Sequence, residues 1–185
     1  VRLVYVIGVP GAGKTTTTTA AIRILEWTRT PGHSVTVPHD QLATADGTVI
    51  AAHLGRPGLG GTDTLPLAVT PMASAWVRRI APLTYRLVIG EGHRLGTPEF
   101  LDQHRDIATV VALTCSATTA VARRAARGAM PNAAWVGARV AAVEQLMPRA
   151  HRVITTDGPL VDAAADLAAV ITAALRDTDH RGRDT

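Results

Sequence analysis

The sequence predicts an α/β protein in which a five-stranded parallel sheet lies between two layers of helices, a three-layer α/β/α arrangement covered by an arginine-rich lid. Three observations predict it. Short apolar, β-branched runs alternate with helical stretches, and parallel neighbours need such crossover connections. A glycine-rich loop, Gly8-Val9-Pro10-Gly11-Ala12-Gly13-Lys14-Thr15, joins the first apolar run to the first helix. Acidic residues follow the apolar runs, at the carboxyl ends of strands where ligands of such sheets bind.

The loop matches G-x-x-x-x-G-K-[ST], the phosphate-cradling P-loop. Leu3 to Ile7 before it is apolar and β-branched, and predicts a buried strand. Thr15 to Trp27 after it has helical spacing, with Ala20, Ile24 and Trp27 on one side. The glycines allow positive φ and close backbone approach, so successive N–H groups turn toward an anion. The helix that follows aims the positive end of its dipole at the same point. Gly8, Pro10, Gly11, Ala12, Gly13, Lys14, Thr15 and Thr16 are therefore expected to hold a nucleoside triphosphate. Lys14 would bridge its β- and γ-phosphate oxygens and the Thr15 hydroxyl would ligate Mg²⁺. Lys14 is the only lysine in a chain whose other basic residues are all arginine. A compact ammonium fits such a cradle where a planar guanidinium does not.

At 185 residues the chain is long enough for one domain with a real core. Aromatics are only 3% of residues, so Ala, Val, Leu and Ile must build that core. The expected organisation is a domain over 1–176, with a lid at about 119–140, and a polar tail over 177–185. A net charge of +4 suits an anionic substrate and permits nucleic acid without favouring it. The single cysteine, Cys115, excludes an intrachain disulfide and a multi-cysteine zinc site. No apolar run reaches about 18 residues, so the expectation is a soluble, cytoplasmic protein.

Thr30-Pro31-Gly32 reads as a turn and Ser34 to Val37 as the second strand, ending at Pro38-His39-Asp40. Residues 41–65, rich in Gly, Pro, Thr and Asp, read as a long loop, either functional or disordered. Pro71 to Ile80 predicts a helix opened by a first-turn proline. Arg86 to Ile89 is the third strand, running into Gly90-Glu91-Gly92-His93-Arg94. A short helix over 98–105 and a strand over 109–114 follow. Then come a basic helix over 119–127 capped by Gly128, and a second over 135–146. The fifth strand covers 153–155, Asp157-Gly158-Pro159 turns, and an amphipathic helix runs over 160–175.

A P-loop enzyme needs an acid at the end of a neighbouring strand. Here Gly90 stands where an aspartate is usual, and Glu91 comes one residue later, facing the other side of the strand. That position suits a general base. Asp40, after the second strand, is the rival base or a substrate ligand, and Asp63 in the glycine-rich loop is a candidate for substrate hydroxyls. Arg123 and Arg127 share a helix face by their i, i+4 spacing, with Arg124 beside them. Such arginines stabilise the charge that develops on a transferring phosphoryl group. Arg139 faces them across the Gly128–Asn132 break, and Pro159 is placed to lie against a base.

These features together resemble the nucleotide-kinase-like P-loop phosphotransferases, a group that includes chloramphenicol phosphotransferase, gluconate kinase and deoxynucleoside kinases. The P-loop, the arginine-rich Ala120–Gly128 segment and the Thr156-Asp157-Gly158-Pro159-Leu160 turn carry the likeness along the whole chain. Glu91 and Arg94 are similar to the Glu-Arg pair of deoxynucleoside kinases, in which the glutamate is the base. Leu54 to Leu65 looks like the substrate loop of uncharacterised actinobacterial and phage P-loop kinases. The resemblance implies transfer of the γ-phosphate of ATP, with Mg²⁺, to a hydroxyl of a nucleoside-like or sugar-bearing small molecule. The alternatives are a phage-type kinase acting on a hydroxymethylated base in DNA, and a non-catalytic NTP-binding regulatory module. A GTPase base reader of the Asn-Lys-x-Asp type is excluded by the absence of a second lysine. A helicase would need a second motor domain that this length does not hold.

Overall fold

A computed structural model describes residues 1–32, 36–55, 61–128 and 131–181. The strands are β1 (Arg2–Ile7), β2 (Thr28–Pro31), β3 (His39–Ala43), β4 (Val49–Leu54), β5 (Leu87–Glu91), β6 (Ala108–Thr114) and β7 (Arg152–Thr155). The helices are α1 (Lys14–Ile24), α2 (Thr70–Ala75), α3 (Pro98–Gln103), α4 (Ala117–Ala126), α5 (Ala133–Leu146) and α6 (Leu160–Arg181). A π-helical stretch, Trp76–Ile80, continues α2.

Among the described residues the strands form one sheet in the order β2-β3-β4-β5-β1-β6-β7. β4, β5, β1, β6 and β7 are parallel. β2 and β3 pair antiparallel at one edge, which makes seven strands rather than the expected five. Leu3, Val4, Tyr5 and Val6 of the central β1 are fully buried, because helices cover both faces. One face packs Leu3, Tyr5 and Val88 against Trp76, Val77, Phe100 and Leu146. The other packs Val4, Val6 and Ile89 against Ala21 and Ile22 of α1 and Leu167 and Ile171 of α6.

The departures from expectation cluster at the antiparallel edge. Thr28–Pro31 is a strand, not the approach to a turn, and its proline sits on the sheet edge where a missing N–H is tolerated. Of the expected strand over 34–37, residues 34 and 35 lie outside the described residues, and Thr36 and Val37 are not strand. His39 and Asp40 begin β3 rather than end a strand. The stretch 41–65 holds the rest of β3 and all of β4, joined by a turn at Thr44–Thr48 with Gly47 at φ 85°. Residues 56–60 of the expected loop lie outside the described residues. At the other end α6 runs on to Arg181, so the first part of the polar tail is helical. No described helix is long and apolar enough to cross a membrane.

Candidate nucleotide and acceptor site

β1 ends in the P-loop, whose geometry follows from its glycines. Gly11 at φ 97° and Gly13 at φ 85° take conformations that other residues adopt only with strain, and Gly13 caps α1. A Cβ on Gly11 would stand 2.5 Å from the Ala120 carbonyl oxygen, so α4 rests directly on the loop. Lys14 Nζ donates to the Gly8 carbonyl at 2.7 Å. Burial holds the ammonium below its ordinary pKa, an effect opposed by Glu91 and Asp63.

Glu91 ends β5, the parallel neighbour of β1, and its side chain is 1% exposed. It lies on the α1 face of the sheet, the same face as Ile89. Gly61 packs against its side chain from the glycine-rich loop, and Thr62 Oγ1 donates to its backbone carbonyl at 2.7 Å. Among the described residues neither carboxylate oxygen makes a hydrogen bond of ordinary geometry, although the Thr15 hydroxyl comes close enough to favour the charged form. Burial pushes the carboxyl up to about 7, while the Thr15 hydroxyl and the Lys14 ammonium oppose the rise. A carboxyl so placed exchanges a proton near neutral pH.

Beside Glu91, on the same face, stands a row of polar side chains crossing four strands. His53 of β4 has its Nε2 3.9 Å from Glu91 Oε1 and a fully buried side chain. Arg29 of β2 approaches His53 Nδ1 at 3.2 Å and Asp40 at 3.6 Å. Asp40 of β3 is the direct cross-strand partner of His53. Burial and the Arg29 charge hold His53 down at about 3, so its ring is neutral.

A cavity of about 500 Å³ opens over the P-loop, lined by Pro10, Gly11, Gly13, Lys14, Thr15, Thr16, Asp63, Glu91, His93, Arg124, Arg127, Pro131 and Trp135. Asp63 Oδ1 accepts from the backbone N–H groups of His93 at 2.7 Å and Arg94 at 2.8 Å, which fixes the rim. Burial, then Lys14, hold His93 down at about 4. A second cavity of about 320 Å³ adjoins on the far side of Gly13 and Thr16, bounded by Thr17, Arg123, Ala126, Arg127, Thr156, Leu160 and Ala163. Arg123 donates to Thr156 Oγ1 at 2.9 Å and to the Thr156 carbonyl at 2.5 Å, and Arg124 donates to the Pro10 carbonyl at 2.6 Å. The first two arginines therefore tie α4 to the loops, while Arg127 is exposed and borders both cavities.

The structure brings Lys14, Thr15, Thr16, Asp63, Glu91, Arg124 and Arg127 to the larger cavity, and Gly8 and Ala12 lie behind its floor. Asp40, expected to face the cleft, is instead paired with Arg29 and lines neither cavity. Arg94 reaches the Asp63 carbonyl and Arg139 stacks 5.4 Å over the Trp135 ring, so both stand behind the rim. Pro159 opens α6 without lining either cavity. Sequence reasoning singled out neither Arg29 nor His53, and it assigned His93 no place in the site.

The donor set fits a metal that arrives with its substrate. Among the described residues no three His, Cys, Asp or Glu side chains cluster as a metal cage, but the Thr15 hydroxyl stands at the first turn of α1 beside an unpartnered carboxylate. That arrangement suits Mg²⁺ carried by a triphosphate, which takes few protein ligands.

Comparison with known proteins agrees with this layout. Residues 1–178 match the family described as P-loop Nucleotide Kinase3. No curated protein sequence matches the chain. Among solved structures it is similar to a sugar kinase from Janibacter sp. HTCC2649, at 17% identity and a TM-score of 0.53 over 94% of this chain and 97% of that one. A gluconokinase from Sinorhizobium meliloti 1021 matches at 13% identity and 0.52 over 95% of each chain. The Mycobacterium tuberculosis APS kinase, solved with AMPPNP and APS, matches at 13% and 0.50 over 92% and 97%. At such identities the likeness is one of fold.

Proposed function

Since the chain belongs to the P-loop Nucleotide Kinase3 family, we propose that it is an ATP-dependent phosphotransferase acting on a hydroxyl of a nucleoside-like or sugar-bearing small molecule. The observation that carries this reading is Glu91: a buried carboxylate, with no hydrogen bond of ordinary geometry to a described residue, facing a cavity floored by Lys14 and Thr15. The P-loop amides and Lys14 bind the β- and γ-phosphates of ATP, and the smaller cavity, with Leu160 and Ala163 on its wall, takes the base. Thr15 would hold Mg²⁺, which supplies charge neutralisation across the phosphates when bound. Glu91 accepts the proton of the acceptor hydroxyl, whose oxygen attacks the γ-phosphorus as the bond to ADP breaks. Arg127 stabilises the charge on the transferring group, and Asp63 orients the acceptor from the rim. The sugar kinase, gluconokinase and APS kinase whose folds this chain shares act on small molecules by their names, which supports a small acceptor. A single free cysteine suits the cytoplasm.

The test is ADP release from Mg·ATP across a panel of nucleosides, sugars and sugar acids. Release that depends on one acceptor, with a phosphorylated product of matching mass, is the expected result. Tight ATP binding with no acceptor-dependent turnover would instead indicate a nucleotide-binding module, and phosphorylation confined to hydroxymethylated DNA would reassign the acceptor.

A further inference from the structure

The row of polar groups running inward from half-buried Arg29 and Asp40 to buried His53 and Glu91 is more than packing. Arg29, Asp40, His53 and Glu91 come from β2, β3, β4 and β5, and all face α1. Each link has a defined chemistry. A guanidinium only donates, so the Arg29 N–H at 3.2 Å requires a lone pair on His53 Nδ1. A neutral imidazole carries one proton, which must then sit on Nε2. Among the described residues that Nε2–H has no hydrogen-bond partner, and Glu91 Oε1 stands 3.9 Å from it. Both Glu91 oxygens likewise lack a hydrogen bond of ordinary geometry to a described residue. Leaving buried donors and acceptors unpaired is costly. A donor and an acceptor left facing each other are a contact that closes with a small rotation of the Glu91 side chain.

We propose that His53 is a positioning residue for Glu91: Arg29, held by Asp40, fixes the Nε2–H tautomer, and that N–H steadies one carboxylate oxygen while the other faces the acceptor hydroxyl. The proposal builds on Glu91 as the base, and it gives Asp40 a role through Arg29 and His53 instead of a direct one on substrate. A carboxylate with one oxygen tethered presents the other at a constant angle, which matters for a proton taken in flight. The tautomer is neutral throughout the working range, since burial and Arg29 keep the ring unprotonated.

Two measurements on the full chain test it. Long-range ¹H–¹⁵N spectra of ¹⁵N-histidine protein, assigned with His53→Gln, should show the His53 proton on Nε2. Its resonance should move in Glu91→Gln, and Arg29→Met should release the ring to a mixture of tautomers. A proton on Nδ1, or no response to Glu91→Gln, overturns the proposal whatever the role of Glu91. The second measurement is Mg·ATP hydrolysis with water in place of the acceptor. His53→Leu should lower kcat about tenfold with KM for ATP within about twofold, and His53→Gln, which keeps a donor, should recover most of the loss. In a Glu91→Gln background His53→Leu should have no further effect. Equal losses in Leu and Gln, or losses that add to Glu91→Gln, would reduce His53 to a packing residue. If Glu91→Gln itself hydrolyses ATP normally, the base assignment fails and the spectra alone decide the contact. Melting curves confirm that each variant is folded; if His53→Leu is not, Arg29→Met and Arg29→Lys take its place, with the loss expected only in Met.

Discussion

The Tyr5 ring lies against Gly90 so closely that a Cβ on Gly90 would stand 2.7 Å from two ring carbons. The two residues are register partners on β1 and β5, and their side chains would share the face opposite to Glu91. The ring therefore fills the space into which an aspartate at position 90 would project, and the acid of this site comes one residue later from the other face. Tyr5 also shares hydrogen bonds at 3.0 Å with Thr62 Oγ1 and the Gly92 carbonyl, locking the glycine-rich loop to the strand end. Tyr5→Phe is expected to lower stability by about 1–2 kcal/mol through those lost bonds. Gly90→Ala should lower it by about 1–3 kcal/mol through the clash. Urea midpoints at constant m-value measure both.

Glu91→Gln separates chemistry from stability. As the base, Glu91 should be worth at least about a hundredfold in turnover. Its carboxyl titrates near 7 when folded, against 4.5 for an exposed glutamate. Between those values the native state binds more protons than the unfolded one, so stability declines as pH rises through the window, by about 3 kcal/mol in all. Glutamine removes that decline. The variant should match the wild type near pH 4.5 and exceed it at pH 8, while turning over poorly at both. Denaturation curves at the two pH values, set beside turnover, check the pair of outcomes.

The centre of the sheet was legible because β1, β5 and β6 are continuous apolar runs, buried on both faces by the helices between them. β4 and the antiparallel edge beyond it were not. Ala51, Ala52 and His53 are weak strand formers by composition, and their pairing with β5 is what makes them a strand. The Asp46-Gly47 pair was a usable hairpin signal, masked by the glycine-rich stretch after it. At the site, the P-loop spacing identified the phosphate cradle outright. The approach of His53 to Glu91 depends on which strands become neighbours, which no local pattern states. Asp40 misled for the same reason: β3 runs antiparallel, so its first residues lie level with the end of β4 but beside Arg29.

Turnover should respond to acid through Glu91 alone, whereas stability responds through Glu91 and His53 with opposite signs. Turnover needs Glu91 ionised, so it should rise with pH and level off above about 7, a limb that Glu91→Gln abolishes. His93, held at about 4, stays neutral across that range and contributes nothing to it. Stability on the acid side carries the mark of His53, which titrates at about 3 when folded against 6.5 for an exposed ring. The unfolded chain binds the extra proton between those values, so this contribution is present above pH 6.5 and is lost as pH falls toward 3. His53→Gln should remove that rise, leaving the opposing Glu91 decline uncompensated between about pH 4.5 and 6.5. Thermal melts of the two proteins from about pH 4 to about pH 7 report it.

Arg123 and Arg127 share a helix face but not a task. Arg123 spends its donors on Thr156 and reaches the Gly11 carbonyl at 3.5 Å, joining α4, the P-loop and the turn before α6. Thr156 Oγ1 in turn donates to the Ala12 carbonyl at 2.9 Å, so removing the guanidinium loosens a junction of three segments. Arg123→Ala should lower stability by about 1–3 kcal/mol and weaken ATP binding, because the loop that grips the phosphates loses its brace. Arg127 is exposed and borders both cavities. Arg127→Ala should leave the melting temperature unchanged and lower kcat by about tenfold or more, since its charge matters when the phosphoryl group is in transit. Lysine at 127 should restore part of that rate by supplying charge without the fork, whereas lysine at 123 should not restore the brace. Melting curves, ATP titrations and steady-state kinetics on the four variants distinguish the roles; equal stability losses at both positions would show that Arg127 is a brace as well.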